Sequence, residues 1–172
     1  MDIARAIRLL KSAVADSSKG LPEEIFLLVS ELTPMINVDL LIRDNESRTL
    51  LTWRDDPYHE PGWHVPGGIV RFKEQLEHRV RAVAREELGA SVEFDQTPFA
   101  INVVISPDRK TRGHFVSLLY RCKLSTPPDE ALRYRSGRPK PGQWKWHKRC
   151  PENIISVHEM YRKLINTPEG CS

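Results

Sequence analysis

The feature that most constrains how this chain folds is a pair of glycines, Gly67 and Gly68, followed by a predicted helix over residues 75–88. Two successive glycines allow the backbone a sharp turn and leave its carbonyl groups uncovered by side chains. Apolar residues recur along the helix, and their periodicity puts Glu87 on the apolar stripe, one turn beyond Val83. Because an unpaired buried charge costs several kcal/mol or more, Glu87 is predicted to be paired or to bind a cation.

The acidic pair Glu86 and Glu87 stands between this diglycine step and Gly89. Two carboxylates beside backbone carbonyls form a hard-oxygen site suited to Mg²⁺ or Mn²⁺. An acidic helix end capped by glycine accounts for the two glutamates as well. The residues by themselves therefore leave both interpretations open.

With the glycines included, the spacing resembles the Nudix box, in which Gly, five residues, Glu and seven residues precede Arg-Glu-apolar-x-Glu-Glu-x-Gly-apolar. The positions in register are Gly68, Glu74, Glu86, Glu87, Gly89 and Ala90. Two positions depart from the box, since Ala82 stands for its arginine and Val83 for its first glutamate. The resemblance implies a Nudix-like α/β/α sandwich of the α/β (α+β) class with a mixed sheet. It also implies a hydrolase that uses Mg²⁺ or Mn²⁺.

The altered box makes the chain most similar to the GDP-mannose mannosyl hydrolase branch of that family. The matching stretches are Thr33-Pro34, Val38–Leu40, Leu50-Leu51, Arg54, Trp63–Gly68, Glu74–Glu77 and Glu87–Gly89. The similarity implies a substrate in which a nucleoside diphosphate is linked to another group, most like a GDP-sugar. It implies that Glu87 and the carbonyl of Gly67 bind the metal. Arg54 would bind the leaving diphosphate, and Asp39 would lie near the substrate.

The branch also has functional residues that this chain lacks. Its two further arginines correspond to Ile69 and Ala82. Its metal-binding Gln and general-base His correspond to Lys140 and Pro141, so neither role transfers. Attack at the sugar carbon and attack at phosphorus both stay open.

Catalysis also needs a group that activates water. Glu86 matches the general Nudix box and is predicted to bind the metal and to act in catalysis, together with Asp39 and Arg54. His114 is predicted to contact the substrate. The candidates for the general base are Asp39, His114, Glu86 and, more remotely, His147. Each has a structural alternative; Arg54, for instance, could pair with a neighbouring aspartate at the surface.

The predicted organisation is an N-terminal helical extension at residues 1–32 and a single Nudix domain at residues 33–172. The extension holds amphipathic helices over 2–16 and from Pro22 to Leu32, which could serve as packing or as a dimer arm. The patterns of the domain predict strands at 35–43, 49–53, 63–65, 91–94, 98–106, 114–123 and 144–147, loops at 55–62 and 124–141, and a closing helix at 154–164.

Length and composition exclude several classes of protein. The 172 residues carry a net charge of +3, which suits one domain with a small anionic partner and does not call for nucleic acid. No apolar run approaches the roughly 18 residues that cross a bilayer, and we expect neither a signal peptide nor a membrane partner. Cys122, Cys150 and Cys171 are odd in number and widely spaced, which indicates reduced thiols and a cytoplasmic location.

Three functions are compatible with these features. The first is hydrolysis of a GDP-sugar with attack at the anomeric carbon, and the second is a Nudix pyrophosphatase with attack at phosphorus. The third is a binding module that keeps the fold without turnover, because the Arg-Glu of the box and the C-terminal base are missing. In each case the partner is a small nucleoside diphosphate derivative, and a homodimer is compatible with all three.

Overall fold

Two sheets and the helices around them make up the fold, and the computed structural model describes residues 2–167. The helices are α1 (Ile3–Ser12), α2 (Glu23–Leu32), α3 (Leu76–Leu88) and α4 (Arg162–Asn166). The strands are β1 (Met35–Ile42), β2 (Thr49–Asp56), β3 (His59–His64), β4 (Gly67–Ile69), β5 (Val92–Phe94), β6 (Ala100–Ile105), β7 (His114–Leu124) and β8 (Trp144–His147). Short 3₁₀ segments lie at Ser17–Lys19, Glu130–Leu132 and Ser156–Tyr161.

The larger sheet is mixed, as predicted. Its strand order is β4-β1-β7-β5, and β6 also pairs with β7. Strands β1 and β7 are parallel, from Met35 opposite Phe115 to Ile42 opposite Cys122, and the other pairs are antiparallel. The smaller sheet has the order β3-β2-β8 and is antiparallel throughout.

Strand β1 is buried on both faces, and this places the larger sheet between helical layers. Val38, Leu40 and Ile42 belong to the apolar cluster that includes the stripe of α3. Leu41, which alternates with them, belongs to a second cluster with Tyr161 from the C-terminal segment, residues 154–166. Since alternate residues of a strand point to opposite faces, α3 and the C-terminal segment cover opposite sides. The predicted α/β/α sandwich is therefore confirmed.

Helix α3 agrees with the helix predicted over 75–88 to within one residue. It ends at Gly89, whose φ of 62° lies in the left-handed region that favours glycine. The N–H of Gly89 donates to the carbonyl of Arg85 at 3.0 Å. This fixed end determines where Glu86 and Glu87 stand relative to the sheet.

The segment 55–62, predicted as a loop, belongs largely to a β-hairpin. Strand β3 begins at His59 rather than at Trp63, and His59 lies opposite Asp56 of β2. Pro61 is tolerated because β3 is an edge strand, where a missing N–H leaves no ladder bond unmade. The prediction was wrong because the local composition of proline and charge does not report pairing with β2.

The helix predicted over 154–164 is replaced by the 3₁₀ segment Ser156–Tyr161 and the short helix α4. Ile154 forms a parallel bridge with Trp63, and the N–H of Ile155 donates to the Trp63 carbonyl at 2.9 Å. This pairing with the smaller sheet takes the place of the first helical turns.

The two N-terminal helices differ in their contacts. Helix α1 buries none of its residues, whereas α2 buries Ser30 against the rest of the chain. The division at residue 32 stays a prediction.

Cys122 and Cys150 are free thiols, and Cys171 lies outside the described residues. In the described part of the chain, no helix is long and apolar enough to cross a membrane.

The placement of the core is testable at Leu40, which is fully buried. We expect Leu40→Ala to lower the free energy of unfolding by about 2–5 kcal/mol because it leaves a cavity. Leu9→Ala removes the same atoms from a position that is 63% exposed and should change that free energy by about 0.5 kcal/mol or less. Denaturant unfolding measures both, and equal losses would contradict this core.

Candidate active site

A cavity of about 190 Å³ opens beside the diglycine step. Residues of β1, β4, the β2–β3 hairpin and the C-terminal 3₁₀ segment contribute to its wall. Its titratable lining residues are Asp39, Arg54, His59, His64, Arg112 and His158.

The diglycine step leaves no room for side chains. Gly67 lies opposite Asp39 in the β1–β4 ladder, and a Cβ at Gly67 would stand 2.2 Å from Oδ1 of Asp39. A Cβ at Gly68 would stand 2.8 Å from Cγ2 of Val83 in α3. The two glycines therefore let β4 lie directly between a buried carboxylate of β1 and the packed face of α3.

Glu87, near the end of α3, is bonded to this step. The N–H of Gly67 donates to Oε1 of Glu87 at 3.0 Å, and the hydroxyl of Thr52 donates to Oε2 at 2.8 Å. The side chain of Glu87 is 24% exposed. Burial raises its pKa to about 7, although these two hydrogen bonds act in the opposite direction.

A chain of hydrogen bonds continues from Glu87 through Thr52 to His64. Nε2 of His64 lies 2.9 Å from Oγ1 of Thr52, and Nδ1 lies 2.9 Å from the carbonyl oxygen of Val65. Burial holds the pKa of His64 well below its ordinary value, so the ring is neutral, with its proton on Nδ1. The single hydroxyl proton of Thr52 can be donated either to Glu87 or to Nε2 of His64, but not to both. Because an ionised Glu87 accepts this proton, the protonation of Glu87 is coupled to the hydrogen bond between Thr52 and His64.

Asp39, in the middle of β1, lines the cavity and is only 1% exposed. Its carboxylate accepts hydrogen bonds from the Asn37 amide at 2.6 Å, the Tyr161 hydroxyl at 2.6 Å and the Ser117 hydroxyl. Three donors compensate the buried charge and hold it in one position. A carboxylate has about four lone-pair sites, so these three bonds do not exhaust the acceptor capacity of Asp39.

Two further histidines line the cavity in their neutral forms. Burial lowers the pKa of His59 to about 4 and also lowers the pKa of His158. Nδ1 of His158 accepts the N–H of Val65 at 3.0 Å, so the proton of the neutral ring sits on Nε2. In this state His158 can donate a hydrogen bond from Nε2 and cannot take up a proton there.

Arg79, in the first half of α3, contacts two glutamates of the predicted motif, Glu74 and Glu86. Its side chain is 4% exposed, and it donates to Glu74 from Nε at 2.8 Å and from Nη2 at 2.9 Å. Its Nη1 also lies 3.6 Å from Oε2 of Glu86, whose side chain is 49% exposed. Glu86 is thus an exposed partner of a buried arginine.

The structure brings some of the predicted site residues together and leaves others apart. The predicted residues that line the cavity are Asp39, Arg54 and Gly67. Glu87 stands directly behind Gly67, to which it is bonded. The predicted residues outside the lining are Glu86, His114 and His147.

The site also includes residues that the sequence did not single out: Thr52, His64, Arg112 and His158. His64 belongs to the stretch Trp63–Gly68 that carries the Nudix resemblance, and this was a usable signal. Arg112 and His158 come from the β6–β7 turn and the C-terminal segment. No local pattern marks contacts between parts of the chain so far apart in sequence.

Within residues 2–167, no group of three His, Cys, Asp or Glu side chains could hold a metal ion. Mg²⁺ needs fewer, because it commonly binds through one or two carboxylates while waters and substrate phosphates complete its shell. Glu87 fits this pattern, since its burial is incompletely compensated and a nearby cation would favour its ionised form. The donors present therefore fit Mg²⁺ or Mn²⁺ held by Glu87, beside Gly67.

A family model described as NUDIX domain matches residues 33–149. Among curated proteins, the ADP-ribose pyrophosphatase of Methanocaldococcus jannaschii is 29% identical over 89 residues, which cover 52% of this chain and 50% of that protein. The chain thus spans about half the length of the curated relative that it matches.

Solved structures with a similar fold include a MutT NUDIX hydrolase from Burkholderia pseudomallei, with a TM-score of 0.59 and 22% identity over 76% of this chain and 97% of that chain. A protein described as a possible asymmetric diadenosine tetraphosphate hydrolase from Jonesia denitrificans gives a TM-score of 0.52 and 21% identity over 67% of this chain and 77% of that chain. At these identities the likeness shows the fold alone.

The raised pKa of Glu87 predicts how stability depends on pH without metal. A carboxyl whose folded pKa is about 7, above its ordinary value, stabilises the fold at low pH, and this contribution is lost as the pH rises through 7. Glu87→Gln keeps the shape and removes the charge. The change that Glu87→Gln causes in the free energy of unfolding should therefore be more favourable at pH 8 than at pH 4.5, by about 2–3 kcal/mol.

Denaturant unfolding of both proteins in a chelating buffer at the two pH values measures this difference. Glu93→Gln makes the same substitution at an exposed strand position and should leave stability within about 0.5 kcal/mol at each pH. A Glu87→Gln effect that is the same at pH 4.5 and pH 8 would show that Glu87 is not held in a desolvating site.

Proposed function

This chain belongs to the NUDIX domain family, and from that premise we propose that it hydrolyses a nucleoside diphosphate linked to another group, with Mg²⁺ or Mn²⁺ as cofactor. The observation that carries the proposal is that Arg54 and Gly67 line one cavity, while the carboxylate of Glu87 is bonded to the N–H of Gly67. A diphosphate is stabilised by positive charge around its oxygens. Arg54 supplies one positive group, and Glu87 would hold the metal cation that supplies the other.

In this proposal Glu87 holds the metal ion beside Gly67, and Glu86, the preceding residue of α3, is the second predicted ligand. When bound, the ion neutralises charge on the phosphate oxygens. Arg54 binds the diphosphate. Its Nε is paired with Oδ2 of Asp56 at 2.9 Å, which orients the guanidinium and leaves its terminal nitrogens for a bidentate contact with phosphate.

We assign the general-base role to Asp39 among the predicted candidates. It lines the cavity, and its three hydrogen bonds leave part of its acceptor capacity unused, whereas Glu86 is paired with Arg79 and neither His114 nor His147 is a lining residue. Its three hydrogen-bond donors would hold the carboxylate in position while it orients a water molecule. The predicted contact of His114 with the substrate stays a prediction.

The names of the similar proteins described above favour one class of substrate. Their names refer to ADP-ribose and to diadenosine tetraphosphate, and neither refers to a GDP-sugar. We therefore place cleavage of a phosphoanhydride bond first. Hydrolysis of a GDP-mannose-type sugar at its anomeric carbon comes second, since its support is the sequence resemblance at Asp39 and Arg54.

The expectations of a cytoplasmic location, a homodimer and no nucleic-acid partner stay predictions from the sequence.

The proposal is tested by incubating the protein and Mg²⁺ with nucleoside diphosphate derivatives, including ADP-ribose and GDP-mannose, in ¹⁸O-labelled water. We expect product release with the label in phosphate, because water attacks phosphorus. Label in the sugar would instead identify the anomeric-carbon reaction. No turnover across the panel, with thermal stabilisation by one ligand, would contradict an enzyme and indicate a binding module.

Glu87→Gln provides the second test of this function. Removing the charge that holds the cation should lower kcat by about 100-fold or more, since a bound metal ion contributes several kcal/mol to transition-state stabilisation. It should also weaken Mn²⁺ binding in a calorimetric titration. Glu93→Gln serves as the matched control and should retain turnover; retained turnover in Glu87→Gln would refute the metal assignment.

A further inference from the structure

Arg112 belongs to none of the motifs discussed above, yet it lines the same cavity as Arg54. It lies in the turn between β6 and β7 with a φ of 53°, which is uncommon for a residue other than glycine. Such a conformation persists only where the surroundings hold it. The position of Arg112 therefore needs a structural cause.

That cause is helix α2 together with Tyr58 of the β2–β3 hairpin. The backbone N–H of Arg112 donates to Oγ of Ser30 at 3.0 Å, and Ser30 is 5% exposed. The guanidinium carbon lies 5.5 Å from the ring centre of Phe26 and 4.6 Å from that of Tyr58. The Tyr58 hydroxyl in turn donates to Glu23 at the start of α2. Two aromatic rings and a buried hydroxyl thus fix Arg112 against α2.

The charge of Arg112 has no direct counterpart in the described part of the chain. Its Nε is buried without a hydrogen-bond partner there, and no carboxylate within residues 2–167 forms an ion pair with it. Arg54, by contrast, is paired with Asp56. Burial and the charge of Arg54 both lower the pKa of Arg112, while the charge of Asp56 acts in the opposite direction. Two guanidinium groups at one cavity repel each other, and an anion between them would remove that repulsion.

We propose that Arg112 is a substrate-binding residue that forms, with Arg54, a two-arginine clamp for the diphosphate of the substrate, and that α2 positions it. The choice of diphosphate rests on the proposed function. Two planar guanidiniums suit a group with several oxygens on neighbouring atoms, because each can make a bidentate contact. The helical extension would then contribute to the site through Phe26 and Ser30, although both precede the matched family region, 33–149.

The test compares steady-state kinetics of Arg112→Gln, Arg112→Lys and a control. A charge-assisted bond that serves ground-state binding predicts a KM about 10- to 100-fold higher for Arg112→Gln, with kcat changed less than about threefold. Arg112→Lys should restore only part of the loss, since lysine lacks the planar fork. Lys110→Gln removes a charge from an exposed position in the same turn and should leave KM unchanged.

Ser30→Ala tests the part assigned to α2 without altering a charge. It removes the acceptor of the Arg112 N–H and should raise KM in the same direction as Arg112→Gln, by a smaller factor, with kcat retained. Thermal unfolding shows which variants are folded. An unchanged KM in a folded Arg112→Gln variant would overturn the clamp, and an unchanged KM in Ser30→Ala would overturn its positioning by α2.

Calorimetric binding of ADP with Mg²⁺ separates the clamp from the reaction. If the protein turns over no substrate but binds ADP, and Arg112→Gln weakens that binding about 10-fold or more, the clamp stands and the hydrolase proposal fails. Equal ADP affinity in wild type, Lys110→Gln and Arg112→Gln overturns the clamp even if turnover is found. Absence of ADP binding by the wild-type protein overturns it as well.

Discussion

The site depends on one partly buried carboxylate, that of Glu87, which is bonded to the Gly67 N–H and the Thr52 hydroxyl. These two contacts tie the end of α3 to β4 of the larger sheet and to β2 of the smaller one. They compensate its burial only in part, and its pKa therefore lies at about 7. A charge kept in such a place is costly to the fold unless a cation joins it, and this is the physical basis for assigning the metal to Glu87.

Around this carboxylate the chain separates negative from positive charge. Asp39 is held by neutral donors from β1, β7 and the C-terminal segment, and the neutral histidines add polarity without charge. Arg54 and Arg112 supply the positive side of the same cavity. Both departures from the Nudix box, Ala82 and Val83, are buried, at 7% and 2% exposure. Val83 thus presents a methyl group to Gly68 where the box has a glutamate.

Much of this was readable from the sequence, because local patterns carry it. The 3.6-residue period gave the bounds of α3 and put Glu87 on the same face as Val83, and the alternation in 35–43 gave β1. The glycine spacing located the step beside the site. Arg112 and His158 could not be inferred in this way, since their places in the site depend on contacts between distant parts of the chain, such as that between Ser30 and Arg112. The same holds for β3, whose pairing with β2 overrides its proline.

A crystal of the protein grown with Mn²⁺ and ADP would test the assignment of the site most directly, through the anomalous signal of manganese. The expected result is a Mn²⁺ peak within about 2.5 Å of a Glu87 carboxylate oxygen, with the diphosphate between that ion and Arg54. A Mn²⁺ ion bound elsewhere, with Glu87 still bonded only to Gly67 and Thr52, would contradict it.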